Sequence, residues 1–207
     1  MNWLYPKCLS KSIEYFKKLP GIGEKSAERL ALHILELTED EVVEFAESLK
    51  DVKKDLKKCS VCGSITDKDI CPICSDEGRN KKLICVLQDY KSLFAFEKAG
   101  HFNGVYHVLD GLISPMDNIG PEDINIAGLI KRIENLENPE IIIALKSSLE
   151  GEATTLYIKK IFEKKKVNIS RLSYGIPMGA EIDYLDEITL ERAINDRKMI
   201  SEQIPEE

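Results

Sequence analysis

The chain has 207 residues, of which 43% are hydrophobic and 31% charged, with a formal net charge of −7. Its length suits one sizeable domain joined to smaller modules, no apolar run approaches the roughly 18 residues of a membrane span, and the start MNWLYPKCLS lacks the apolar core of a signal peptide. The expectation is a cytoplasmic protein with no membrane contact, whose acidic balance excludes a global positive field and confines any nucleic-acid contact to a local patch.

The amino end is the better place for such a patch. Residues 1–37 hold six Lys or Arg against four acids, whereas residues 176–207 hold three against nine. Ile13, Phe16 and Leu19, spaced by three, predict a short helix from Ser12 to Lys18 that stops at Pro20. Beyond the turn L-P-G-I-G, Ala27, Leu30, Ala31, Ile34 and Leu35 form the apolar stripe of a second helix. A third starts near Thr38, where T-E-D-E resembles a capping box, and runs through Val42, Phe45, Ala46 and Leu49. Residues 1–57 are therefore read as a small helical module.

Within that module, Gly21 and Gly23 let the backbone turn sharply and come close to a partner. The amides that open the next helix then face outward as donors, with a dipole that favours phosphate. Lys25 and Arg29 are four residues apart, share one helix face and can reach adjacent phosphates. Apolar helix, L-P-G-I-G and basic apolar helix together make the helix-hairpin-helix pattern, which grips the DNA backbone without reading bases. An ordinary turn with solvated cations is the competing reading.

Residues 58–80 carry CSVCGSITDKDICPIC. Cys59, Cys62, Cys71 and Cys74 form C-x2-C-x8-C-x2-C, with Gly63 after the first pair and Pro72 inside the second. A two-residue spacer lets a tight turn point both sulfurs inward, and four thiolates complete a tetrahedral zinc site. The alternative, two disulfides, conflicts with a reducing cytosol. With four protein ligands the zinc is structural, one per chain. Cys85 lies in an apolar run and reads as core, and Cys8 falls outside the pattern.

From residue 81 to 173 strands and helices alternate: LICVL, a helix over 91–99, GVYHVL, a helix near 126–136, IIIAL, a helix over 153–162, and VNIS. That alternation predicts an α/β domain with a mainly parallel sheet. The tail, residues 174–207, opens with Gly175, Pro177 and Gly179, is acidic and then helical, and can pack on its own body or exchange with a neighbouring subunit. His33 and His107 fall within a helix and a strand and read as structural, and no Ser/His/Asp or Cys/His set points to a nucleophile.

The stretch IIIALKSSLEGEATTLYI, read as a strand, a loop ending in E-G-E-A and a helix start, resembles the Toprim fold of topoisomerases and primases. The resemblance implies magnesium-binding acids at the strand ends of catalytic members: a Glu after the first strand and an Asp-x-Asp pair before E-G-E-A. Here those positions read Gln88, Lys146 and Ser148, which leaves a poor oxygen cage. Asp89, Glu150 and Glu152 remain, either as a used acidic surface or as polar strand-end and helix-start residues.

Helix-hairpin-helix, four-cysteine element and Toprim-type domain, in that order, resemble the RecR family of bacterial recombination mediators. YHVLDGLISPMDNIGPEDINI, residues 106–126, and LEGEAT are similar to that family almost residue for residue. The resemblance implies a non-enzymatic role. With RecO, and in some pathways RecF, such a protein helps load the recombinase onto single-stranded DNA at gaps. It also implies a ring-shaped homo-tetramer that surrounds DNA at the nucleoid and an oligomerising tail whose residues 182–188 match a Walker-B-like segment. RecO is then a candidate partner for Asp89, Glu150 and Glu152. Leu145-Lys146-Ser147 departs from the family's usual Thr-Asn-Pro, and no Walker A motif is present, so nucleotide hydrolysis is not expected. The competing functions are a magnesium-dependent Toprim topoisomerase, primase or nuclease, and a zinc-containing interaction protein that never touches DNA.

Overall fold

A computed structural model describes residues 4–173 and 175–198, which form two compact units divided after Leu56. Tyr174 and residues 199–207 of the tail lie outside the described residues. In the first unit, α1 (Lys7–Lys17) starts well before Ser12, because Pro6 supplies a fixed entry and Leu9 adds to the apolar stripe. Helix α2 (Glu24–His33) packs on α1 through Ile13, Ala27 and Ala31, flanked by Tyr5, Leu9, Phe16 and Ile22. The two alanines are essentially without exposed surface, so the helix backbones approach closely. A 3₁₀ turn (Ile34–Glu36) leads to α3 (Glu39–Asp55). Thr38 caps α3 as the capping-box pattern predicts: its hydroxyl accepts the Glu41 N–H, and the Glu41 carboxylate accepts the Thr38 N–H at 2.8 Å. Helix α3 buries none of its residues, leaving Val43, Phe45, Leu49 and Val52 exposed.

The second unit begins with the hairpin β1 (Lys57–Lys58) and β2 (Ile65–Thr66) and the short helix α4 (Pro72–Ser75), which frame the cysteines. Then follow β3 (Leu83–Leu87), α5 (Tyr90–Ala99), β4 (Val105–Val108), α6 (Ile126–Glu134), β5 (Glu140–Ala144), α7 (Leu149–Phe162) and β6 (Asn168–Arg171). The four longer strands make one parallel sheet of order β4-β3-β5-β6. Strand β3 is central and buried on both faces, which is why LICVL reads as an unbroken apolar run. Ile84 and Val86 join the core under α6 and α7, with Leu129, Ile133, Ile158 and Phe162. Cys85 and Leu87 join the opposite core under α5, with Leu93 and Tyr106.

Two expectations need correction. Helix α7 starts at Leu149 and not at Ala153, so E-G-E-A lies in its first turn and not in a loop. Ser148 is the cause: its hydroxyl accepts the Gly151 N–H at 3.3 Å and nucleates the helix early. His107 is less satisfied than expected of a structural histidine, since it is fully buried and its Nδ1 has no partner. The tail forms α8 (Glu187–Asn195), which is tied to the sheet domain by Arg171 to Asp196 at 3.2 Å and by Arg192 to Ser147.

Candidate nucleic-acid interface, zinc centre and strand-end cleft

Between α1 and α2 the chain turns through Gly21, whose φ of 78° lies in the left-handed region, and the Ile22 N–H donates to the Leu19 carbonyl at 3.1 Å. Gly23 then stands at the N-cap of α2 with no side chain to accept the first helical amides. Lys25 and Arg29 follow one turn apart, both exposed, and among the described residues neither is ion-paired. Lys17, by contrast, is held between Glu14 and Glu24. The unit thus presents two free cations beside an uncapped helix start, an arrangement suited to phosphate oxygens.

The four cysteines converge as their spacing predicts, with every sulfur within 4.8 Å of the others and no disulfide among them. A tetrahedral zinc with bonds of about 2.3 Å requires sulfur-to-sulfur edges of about 3.8 Å, and the sulfurs of Cys62 and Cys71 are 3.6 Å apart. Backbone amides support the thiolates: Cys71 N–H donates to Cys59 Sγ at 3.3 Å and Cys74 N–H to Cys71 Sγ at 3.4 Å. Contacts with the Cys62 and Cys74 thiols lower the pKa of the Cys71 thiol, and the hydrogen bond with Cys71 raises that of Cys62. The donor set fits one structural zinc ion, with all four positions taken by protein. Among the described residues this is the one group of three or more such side chains able to hold a metal.

The zinc element is fastened to the sheet at its β4 edge. Val108 N–H donates to the Cys62 carbonyl at 2.7 Å, and Asn125 Nδ2 donates to the Val108 carbonyl at 3.1 Å. Gly63 permits this approach, since a Cβ there would stand 2.8 Å from Asn125 Nδ2 and 2.9 Å from the Val108 carbonyl. Lys58 pairs with Asp110, whose positive φ of 62° belongs to the Asp-Gly turn after β4. Beneath the element, Arg79 grips Glu97 through two bonds of 2.9 and 2.6 Å and holds its carboxyl below the usual range, while the Tyr106 hydroxyl donates to the same carboxylate at 2.6 Å. Spacing alone does not reveal this network; only the Asp110-Gly111 turn carries a local signal.

The strand-end cleft lies where the order of the sheet reverses. β3 leads to β4 on one side and β5 adds on the other, with Leu87 in register with Ala144, so Gln88-Asp89 and Leu145-Lys146 emerge side by side. Such a switch point is where open α/β sheets place ligands. Its remaining acids are individually engaged. Asp89 caps α5, accepting the Ser92 N–H at 2.9 Å and the Ser92 hydroxyl at 3.1 Å. Glu152 lies 3.7 Å from Arg171, and Glu150 is held below its usual pKa chiefly by a hydrogen bond with Ser148. They do not gather into a cation cage. Of the histidines in regular elements, His33 is exposed beside Glu36, and burial lowers the pKa of His107 to about 4, leaving it neutral with Nε2 against the Asn125 carbonyl at 2.7 Å.

Comparison with known proteins follows the same modular order. The RecR helix-hairpin-helix model matches residues 9–53, the RecR four-cysteine zinc finger domain model 56–76, the Toprim domain model 82–173 and the RecR C-terminal model 175–198. The chain is 50% identical over 193 residues, covering 93% of its own length and 98% of theirs, to proteins called recombination protein RecR in Staphylococcus aureus strains Newman, COL and bovine RF122 / ET3-1. Among the described residues no helix is long and apolar enough to cross a membrane. Matched across nearly its whole length and in each of its modules, the chain belongs to the RecR family of recombination proteins.

Proposed function

We propose that this chain is a DNA-binding mediator of recombinational repair that does no chemistry of its own, and that with RecO, and RecF where present, it helps load the recombinase onto single-stranded DNA at gaps. The observation that carries this reading is the pair of exposed cations Lys25 and Arg29, without an ion pair among the described residues, beside the Gly21–Gly23 turn. Backbone contacts of that kind serve single and double strands alike. A magnesium-dependent reaction is disfavoured by the cleft, where Gln88 and Lys146 stand at the strand ends, Ser148 is spent as a cap and the acids are separately engaged. Self-association into a ring is supported by the unburied apolar face of α3 and would set several modest basic patches around one DNA. The cytoplasm, at the nucleoid, is the corresponding location.

RecO is assigned to the cleft, where Glu150 is charged at neutral pH and partly exposed. Loading of recombinase onto single-stranded DNA coated with binding protein tests the reading: addition of the chain with RecO is expected to shorten the lag, and no shortening would overturn it. Glu150→Lys is expected to slow RecO association about tenfold, chiefly through its on-rate, with zinc content unchanged. Glu150 is the cleaner probe than Glu152, because Glu152 also pairs with Arg171.

A further inference from the structure

We propose that Met116 and Leu149 are a pair of apolar anchors, close to Glu150 at the strand-end cleft, for a protein partner with a basic face. The inference rests on the assignment of RecO to that cleft and names the contacts that hold it there. Both side chains stand almost wholly in solvent, Met116 at 94% and Leu149 at 86% of full exposure. Single exposed apolar residues are ordinary on protein surfaces; these two differ in the rigidity of the backbone beneath them and in their nearness to one acid. The tip of the loop after β4 is pinned from within. Ser114 and Ile119 exchange backbone hydrogen bonds of 3.0 and 2.9 Å, and the Ser114 hydroxyl donates to the Asp117 carboxylate at 2.6 Å. The amides of Asp117 and Asn118 donate to the Ser114 and Pro115 carbonyls at 3.1 and 3.3 Å. Met116 therefore projects from a closed turn, and a partner that buries it has little backbone to order.

Leu149 opens α7, between the Ser148 cap and the close approach of Gly151 to the Lys146 carbonyl. The loop and the helix are tied together, since the Ile113 N–H donates to the Thr154 hydroxyl at 2.9 Å and that hydroxyl donates to the Glu150 carbonyl at 2.6 Å. Met116 is three residues beyond Ile113, a span of at most about 11 Å. It thus lies with Leu149 and Glu150 inside the breadth of one ordinary protein interface. Charge selects the partner. Residues 109–125 carry Asp110, Asp117, Glu122 and Asp123 and no Lys or Arg, and among the described residues only Asp110 of these four is ion-paired, to Lys58. Such a loop repels DNA, and a two-fold contact between copies of the chain through it would set acid against acid. A basic protein face suits it, with the acids speeding encounter and the buried anchors slowing departure.

The test is the binding kinetics of RecO on the full-length, zinc-loaded chain. Met116→Ala and Leu149→Ala are each expected to speed dissociation about tenfold and to leave association within about twofold of the unaltered rate. Met116→Leu keeps the apolar volume and is expected to dissociate at the unaltered rate, whereas Glu150→Lys slows association instead. Both alanine variants should keep the melting temperature of the unaltered chain, because neither side chain is packed in the core. Unaltered dissociation from Met116→Ala or Leu149→Ala, with association still slowed by Glu150→Lys, would overturn the anchors and leave the cleft assignment standing. No RecO binding to the unaltered chain, or binding that none of these variants alters, would overturn both. A lower solution mass for Met116→Ala in the absence of RecO would assign the tip to contacts between copies of the chain, and would equally overturn the proposal.

Discussion

Replacing Cys71 by Ser, or stripping the metal with a chelator, is expected to unfold residues 57–76 and to loosen the β4 edge of the sheet. The element has little apolar core of its own: its buried apolar residues are Cys59, Cys62 and Cys71, with Ile73 and Cys74 packed against them. Structural zinc contributes on the order of 10 kcal/mol to folding such an element, far more than two short strands and one helical turn can supply. Loss should spread to β4 because the Val108 N–H is bonded to the Cys62 carbonyl. Hydrogen exchange checks this. Val108 and residues 57–76 should lose protection, β3 and β5 should keep most of theirs, and added zinc should restore the metal-stripped protein. Unchanged protection at Val108 would show that the zinc element and the sheet are uncoupled.

Gly151→Ala is expected to destabilise the sheet domain by about 3–5 kcal/mol, although helix propensity alone would favour alanine by roughly 1 kcal/mol. A Cβ at this position would stand 1.9 Å from the Lys146 carbonyl oxygen, and backbone cannot swing aside as a flexible side chain can. Accommodating it means shifting the first turn of α7. One turn on, Thr154 bonds back to the Glu150 carbonyl at 2.6 Å, and its buried hydroxyl accepts the Ile113 N–H at 2.9 Å, tying the long loop after β4 to the helix. Thermal unfolding at fixed zinc load measures the loss, and an equal or higher melting temperature would contradict the close-approach account. The glycine in E-G-E-A is thus explained by packing at the cleft floor, independently of any ligand.

Parts of this molecule are legible in the sequence because local chemistry decides them. The cysteine spacing gives the metal site, T-E-D-E gives the start of α3, and LICVL and IIIAL give strands because burial leaves them few polar residues. The start of α7 is not legible. Ser147-Ser148-Leu149-Glu150-Gly151 shows no apolar periodicity, and its glycine reads as a helix breaker until the neighbouring carbonyl is seen. The sheet order is hidden as well, since it depends on β3 pairing with the distant β5 and not only with β4. Likewise the engagement of Asp89 and Glu152 turns on the contacts of Ser92 and Arg171, which no spacing announces.

Phosphate contact through Lys25 and Arg29 is the claim on which the functional reading rests, and a salt titration of DNA affinity tests it most directly. The unaltered chain should bind unrelated sequences alike, with log affinity falling linearly as log salt rises. Lys25→Ala with Arg29→Ala should bind about tenfold or more weakly at low salt, with a slope shallower by about two per engaged chain. Its fold should be intact, because both side chains are exposed and outside the Ile13–Ala27–Ala31 core. A double variant with the same affinity and the same salt slope as the unaltered chain would contradict the account.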